Sequence, residues 1–417
     1  MAITGQWKRR RIVINADAYI SGATSNVPVL VKFNSTSHPD LFATGDDKDS
    51  VWFSSDAGGQ TTLYHEGVVF DSTNAIFYVK VDLSSTADTV IYFWYGQPAI
   101  TGTEAKTSVW TNGLCIYHFE NNANDTMGVA DGSVTGATYT SLGKVGGAYD
   151  FDGNDYIAVG TTATFKSMHN GTSSFTIIAW AAWDTYDNNA QNAIMGSSNG
   201  IPTIGILLAL DDRSSLSRSN KPVFGAFNSS SYHFLINTAS NDTVQNNGWH
   251  FYSVRANGTN GYMDIDGTNI DSGSNGAGTS SNASNILNIG RTNDSAAYAY
   301  FDGKIDEVWF FTDEKSLDFV KAVYNNVQNY SSFITIDGAV TIGSSPKEIY
   351  PVWSSQANYN SSVSAAVGLS AAVSTQADLN RSVAGAIGLS ATVAQQKDLI
   401  RAVSASIGLS ATAALQW

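Results

Sequence analysis

The sequence predicts an all-β protein in three parts: an N-terminal β-sandwich, a larger second β-domain and a C-terminal tail of 20-residue β-repeats. Composition is the first reason. Charged residues fill only 14% of the 417 positions, about half the usual share, while aromatics reach 12%. Helix-rich folds expose many Lys and Glu, whereas a polar share of Ser, Thr and Asn with abundant aromatics suits strands and turns. The second reason is the recurrence of short β-branched and aromatic runs of period two, and the third is the repeat itself. At about 150 residues per domain, the length allows two to four domains.

Charge narrows the function classes before any motif does. The 22 basic and 36 acidic residues leave a net charge of −14, so phosphate repulsion disfavours a general nucleic-acid binder. The one basic run, Lys8-Arg9-Arg10-Arg11, opens what reads as a solvated edge strand ending Ile12-Val13-Ile14. Cys115 is the only cysteine, so no intrachain disulfide forms, and its apolar neighbours make it a small core residue. The N-terminal residues lack an apolar h-region, so no secretory signal is expected. No stretch approaches the roughly 18 apolar residues of a spanning helix, so membrane insertion is not expected either.

Residues 1–105 read as a small β-sandwich. Val27-Pro-Val-Leu-Val-Lys-Phe33 is β-branched, Ala75, Phe77, Val79, Val81 and Leu83 alternate, and Val90-Ile-Tyr-Phe-Trp-Tyr95 follows before Gly96 and Pro98. Trp7 with Arg10 and Ile12–Ile14, Val51-Trp-Phe53, Leu63-Tyr-His-Glu66 and Tyr92-Phe-Trp-Tyr-Gly96 complete a spaced set. This set resembles a domain of unknown function that precedes laminin-G-like modules in surface proteins. The resemblance implies a fold and a context, not a reaction.

Residues 106–335 carry further strands, among them Phe175–Trp180 and Asn285–Gly290, and a hairpin signal at Asp266-Gly267. In order come Leu114–Glu120 with Asp125, Gly143–Ala148 with Phe151–Ile157, Ser174–Trp180, Trp249–Tyr252, Asn288–Arg291 and Phe301–Val308. A helix over Ser316–Asn326, with Leu317, Val320 and Tyr324 on one face, closes the series. These landmarks resemble the laminin-G-like, concanavalin A-like jelly roll. That resemblance implies a structural calcium site held by Asp125 and Asp306; the alternative is that Asp125 sits in a turn and Asp306 caps a backbone bend.

Residues 336–417 change character. Pro346 to Pro351 interrupts, then Val363, Val383 and Val403 recur at 20-residue spacing, as do Leu369, Leu389 and Leu409. Apolar residues alternate within each copy, and an internal Gly368 would cost a helix about 1 kcal/mol. Each copy therefore reads as a strand of about 12 residues, roughly 40 Å long. One such repeat cannot bury its face alone, so the copies pair between chains, form an intrachain meander or stay disordered until docked. An intersubunit assembly through residues 360–417, a homotrimer, is the leading expectation.

Catalytic patterns are not evident. Jelly-roll glucanases place acids alternately on one strand because retaining hydrolysis needs carboxyls about 5 Å apart. Here only Asp264-Ile-Asp266 comes near, and Asp266 is better read as a turn residue. The six His residues lack metal-ligand spacing. Trp183, Tyr186, Asp187 and Asn189 close a strand in an apparent loop, a pattern suited to stacking on a sugar ring and binding its hydroxyls. The expectation is a non-enzymatic structural protein of a tailed phage, made in the host cytoplasm without a signal peptide. It would be displayed on the virion as a fibre, decoration or receptor-binding component. Its partners would be other virion proteins and a host surface glycan. A secreted or cell-surface adhesin, and a glycan-processing enzyme with an unrecognised site, are the alternatives.

Overall fold

The structure is a computed structural model. It describes residues 7–97, 102–161, 165, 168, 173–184, 191–198, 205–211, 221–227, 232–237, 248–274, 285–292, 300–342, 369–373, 389–393 and 409–411. Strands dominate, and no helix among the described residues is long and apolar enough to cross a membrane. The all-β reading holds.

The N-terminal sandwich is built as its alternation requires. Trp7–Ile14 pairs antiparallel with Thr89–Tyr95, whose other side carries Trp52–Ser54. Facing it is a three-stranded sheet centred on Asn74–Leu83, flanked by Thr24–Asn34 and His65–Phe70. Phe33 stacks on Phe93 at 4.5 Å and Phe53 meets Phe77 edge-on at 5.5 Å between the sheets.

Trp7–Ile14 is not the edge strand its basic run suggested. Ile334–Ile336 pairs with Ile12–Ile14, and Val340–Ile342 pairs with Trp7–Arg9. The cations accordingly have internal partners. Arg9 lies over Tyr92 and Trp94, Arg10 is buried against Asp40 and Tyr95, and Arg11 bridges to Asp337. The partition at residues 105 and 335 is crossed in the same way. Residues 334–342 complete the N-terminal sheet instead of opening the tail, and Met1–Val352 is one compact unit.

The second domain is a sandwich of an eight-stranded and a seven-stranded sheet, each built of antiparallel ladders. Asp302–Phe311 and Ser174–Trp183 lie at the centre of the first sheet, with Gly113–Tyr117 also on Asp302–Phe311. Ile177, Val308 and Phe310 meet Leu208 and Ile289 of the other sheet in one core. Ile178, Trp180, Trp309 and Phe311 face the opposite way, into the core shared with the N-terminal module. Burial on both faces explains the unbroken apolar run Ile177–Trp183. The Asp266-Gly267 turn forms as expected: both residues have positive φ (51° and 74°), as a tight hairpin requires.

One helix locks the modules together. Leu317–Gln328 starts at Ser316, whose hydroxyl accepts from the Phe319 N–H at 3.1 Å. Its buried face carries Phe319, Val320, Val323 and Val327. Asn326 on the same helix reaches the edge strand Thr24–Asn34, accepting from Leu30 N–H (2.5 Å) and donating to Leu30 C=O (3.1 Å). Tyr330 does the same at Lys32. Two side chains thus stand in for the missing neighbouring strand.

Trp353–Trp417 is a second unit. Its strands Leu369–Val373, Leu389–Val393 and Leu409–Ala411 form a parallel ladder, with Leu369 opposite Leu389 and Leu389 opposite Leu409. The described strands hold five, five and three residues, and the rest of each expected 12-residue strand lies outside the described residues.

Candidate functional site

A buried ionic cluster sits where the modules meet. Each module contributes. Glu66 comes from the N-terminal strand His65–Phe70, His118 follows Gly113–Tyr117, and Glu307 lies in Asp302–Phe311. His118 Nδ1 is 2.8 Å from Glu307 Oε2 and its Nε2 is 3.3 Å from Glu66 Oε2. The indole N–H of Trp110 donates to Glu66 (2.6 Å), that of Trp309 to Glu307 (2.7 Å), and the Thr126 hydroxyl to Glu66 (2.7 Å). Tyr78 stacks on the His118 ring at 5.3 Å.

Electrostatics follow from this packing. Burial alone would neutralise His118, but Glu307 and Glu66 outweigh it and raise its pKa well above the usual 6.5. Burial likewise opposes ionisation of Glu66, yet His118 and the hydrogen-bond donors hold its carboxyl below the usual range. Asp306 is driven the other way, raised well above the usual carboxylate range by burial and then by Glu307. Burial, with Glu307 nearby, pushes Glu120 up to about 7 against the Gly147 N–H that favours its anion.

A bulge makes the cluster possible. The pairing of Ser174–Trp183 with Asp302–Phe311 shifts register between Ile178 and Trp180, and Glu307 takes φ 50°. Ile305 and Val308, three apart, then share the inner core, and Glu307 lies on the side of Trp309. A left-handed glutamate costs of order 1–3 kcal/mol, which the surrounding hydrogen bonds must offset.

Beside the cluster opens a cleft of about 230 Å³, lined by residues of both modules including Lys48, Lys106, Glu120, Asn122 and Asn124. Glu120 Oε1 accepts from Gly147 N–H at 2.9 Å, and Tyr139, 41% exposed, packs across the same glycine.

The expectation for Trp183 is corrected. Trp183 is buried in the sandwich, its indole N–H donating to Tyr252 (3.1 Å) and its ring 4.1 Å from Phe301. It closes a strand covered on both faces, so it presents no ring to a ligand. Tyr186, Asp187 and Asn189 lie outside the described residues.

Asp125 and Asp306 organise backbone. Asp125 accepts main-chain N–H groups of Ile116 and Met127 on one oxygen and of Val129 and Ala130 on the other. These four bonds fill its acceptor sites, so it does not fit as a calcium ligand. Asp306 accepts from Val145 N–H at 2.8 Å. Among the described residues no group of three or more His, Cys, Asp or Glu is placed to hold a metal.

Glu66, His118, Glu120 and Glu307 were missed as site residues. A usable signal was present: each is an ionisable residue inside or beside an apolar strand run, and such a group needs a partner.

The jelly-roll topology and the position of these strands agree with a family-level match. Residues 151–321 match the concanavalin A-like lectin/glucanases superfamily (Laminin_G_3). The match covers the sandwich from Phe151 into the locking helix, leaving Glu66, His118 and Glu120 outside it and Glu307 within it. No curated protein sequence matches the chain. Among solved structures, domain 4 of AbnA, a GH43 extracellular arabinanase from Geobacillus stearothermophilus solved with arabinotriose, is 17% identical with a TM-score of 0.41. It aligns over 51% of this chain and 98% of that domain. The binding domain of botulinum neurotoxin DC in complex with SialylT is 17% identical, TM-score 0.39, over 52% of each chain. That of Paraclostridial Mosquitocidal Protein 1 is 15% identical, TM-score 0.39, again over 52% of each. The chain thus spans about half the length of these toxin domains.

Proposed function

We propose that this chain is a glycan-binding display protein, its concanavalin A-like sandwich carrying recognition and its repeat tail carrying assembly. The observation that carries this reading is the union, in one chain, of a lectin-family sandwich with a 20-residue repeat whose strands pair in register. The setting we propose is the surface of a tailed-phage virion, as fibre, decoration or receptor-binding component, with trimerisation through residues 360–417. A repeat that cannot bury its apolar face alone favours this. A binding role is preferred to a hydrolytic one because Glu66 and Glu307 both already hold His118 and an indole N–H.

Negative-stain imaging of parent particles labelled against residues 106–335 tests the setting: label on virions supports it, and label confined to cell envelopes sinks it in favour of an adhesin. Light scattering of the intact chain and of one ending at residue 352 tests assembly. A trimeric mass for the first and a monomeric mass for the second is expected; equal monomeric masses refute it.

A further inference from the structure

We propose that the ammonium groups of Lys32 and Lys144, with the side-chain amide of Gln328, form a site for one oxyanion, the carboxylate or sulfate of an acidic glycan. That the anion is borne by a glycan rests on the reading of the chain as a glycan-binding protein.

Three elements bring these groups to one place. Lys32 lies on the N-terminal strand Thr24–Asn34, Lys144 on the loop before Ala148–Asp152, and Gln328 ends the locking helix. Lys144 Nζ stands 4.5 Å over the Trp180 ring and donates to Gln328 Oε1 at 2.6 Å. Lys32 Nζ stands 4.5 Å over the ring of Tyr330, two residues beyond Gln328. The Tyr330 hydroxyl is itself tied to the Lys32 main chain, so stem and ring are fixed together. Both ammonium groups are therefore held by aromatic faces and do not swing free.

Neither cation is neutralised. Among the described residues no carboxylate lies within ion-pair distance of either, and neither donates to a carbonyl at the end of the helix. Lys315, also half-buried, holds Asp313 instead. The carboxylates that act on Lys144 from a distance are engaged elsewhere: Asp266 by Phe251 N–H and His250, Asp306 by Val145 N–H. Burial lowers both lysine pKa values, and Lys32 is close enough to lower that of Lys144 further. A half-buried charge without a counter-ion is costly, and a second like charge beside it adds to the cost. The remaining valences are all donors, because Gln328 has spent its oxygen on Lys144 and offers its exposed N–H groups. Three donors and no free acceptor select an oxyanion over a cation or a neutral hydroxyl.

The test is NMR of the full chain, following the Gln328 side-chain amide during titration with methyl glucuronide and glucose 6-sulfate, with methyl glucoside as neutral control, beside a glycan array. Both acidic ligands are expected to shift that amide, and Lys32→Gln and Lys144→Gln each to weaken binding about tenfold. The preferred one of the two acidic ligands identifies carboxylate or sulfate as the source. Gln328→Glu supplies an internal counter-ion, so it should abolish binding and raise the melting temperature; a lowered melting temperature overturns the unneutralised pair. Acidic glycans that bind equally to all three variants overturn the site and leave the glycan-binding reading intact. A response to the neutral glucoside alone overturns the oxyanion assignment. Equal shifts with sodium sulfate and no acidic glycan bound on the array mean an adventitious ion only and overturn the glycan source. Silence toward every anion and every glycan overturns both the site and the reading.

Discussion

Asn326 grips Leu30 by both polar groups of its main chain, accepting from the N–H and donating to the C=O, although 296 residues separate them. The side chain is buried, so removing it strands two main-chain groups away from water. Asn326→Ala should cost about 2–4 kcal/mol, and Asn326→Asp, which sets an unpaired buried carboxylate against the Leu30 C=O, should cost at least as much. Urea unfolding of residues 1–352 measures both.

His118 should be the most sensitive single position of the junction. His118→Ala leaves Glu66 and Glu307 buried with like charge and no cation between them, at a cost of about 3–5 kcal/mol. Because one carboxylate belongs to each module, both should lose stability together. Hydrogen exchange in Asn74–Leu83 and in Ser174–Trp183 should accelerate in parallel.

Stability should fall as pH rises across the neutral range. Glu120 has its native pKa lifted from 4.5 to about 7, so the folded state holds an extra proton between those values and stability declines from pH 4.5 to 7. Glu120→Gln should flatten that limb in thermal melts. Two groups bound the profile. The contribution of Glu66, whose pKa is depressed, is present above 4.5 and lost as pH falls through its native value. That of His118, whose pKa is raised, is present below 6.5 and lost only as pH climbs through its native value.

Truncation should separate the strands after the helix from the repeats. A chain ending at residue 342 should melt like residues 1–352, whereas one ending at 332 uncovers the Phe333 and Ile334 sites and loses at least about 3 kcal/mol. Differential scanning calorimetry reads the difference.

The repeat ladder predicts a length rule. Deleting residues 374–393 removes one full period and leaves Leu369 able to pair with Leu409. Deleting ten residues breaks the period. Amide protection at 409–411 should survive the first change and vanish in the second.

Local patterns were legible in the sequence; partners distant in it were not. Alternation at Ala75–Leu83 and the Asp266-Gly267 pair announced strand and hairpin because period and turn chemistry are local. The interior position of Trp7–Ile14 was hidden because its second neighbour arrives from residues 334–342. Trp183 was misplaced because a terminal aromatic looks the same whether a strand has one covered face or two. The cleft escaped notice because Lys48 and Glu66 meet Glu120 and Asn124 only in the fold, which spacing does not encode.

The strand pair that closes the N-terminal sheet also sets how the protein bears a pull. A pull on residue 342 along the strand direction would load segment 334–342, which lies flat along Trp7–Ile14. Tension along that axis shears the ladder bonds together, with Arg10 and Arg11 pinning Asp337 midway, instead of unzipping them one by one. The basic strand therefore doubles as a mechanical clamp on segment 334–342.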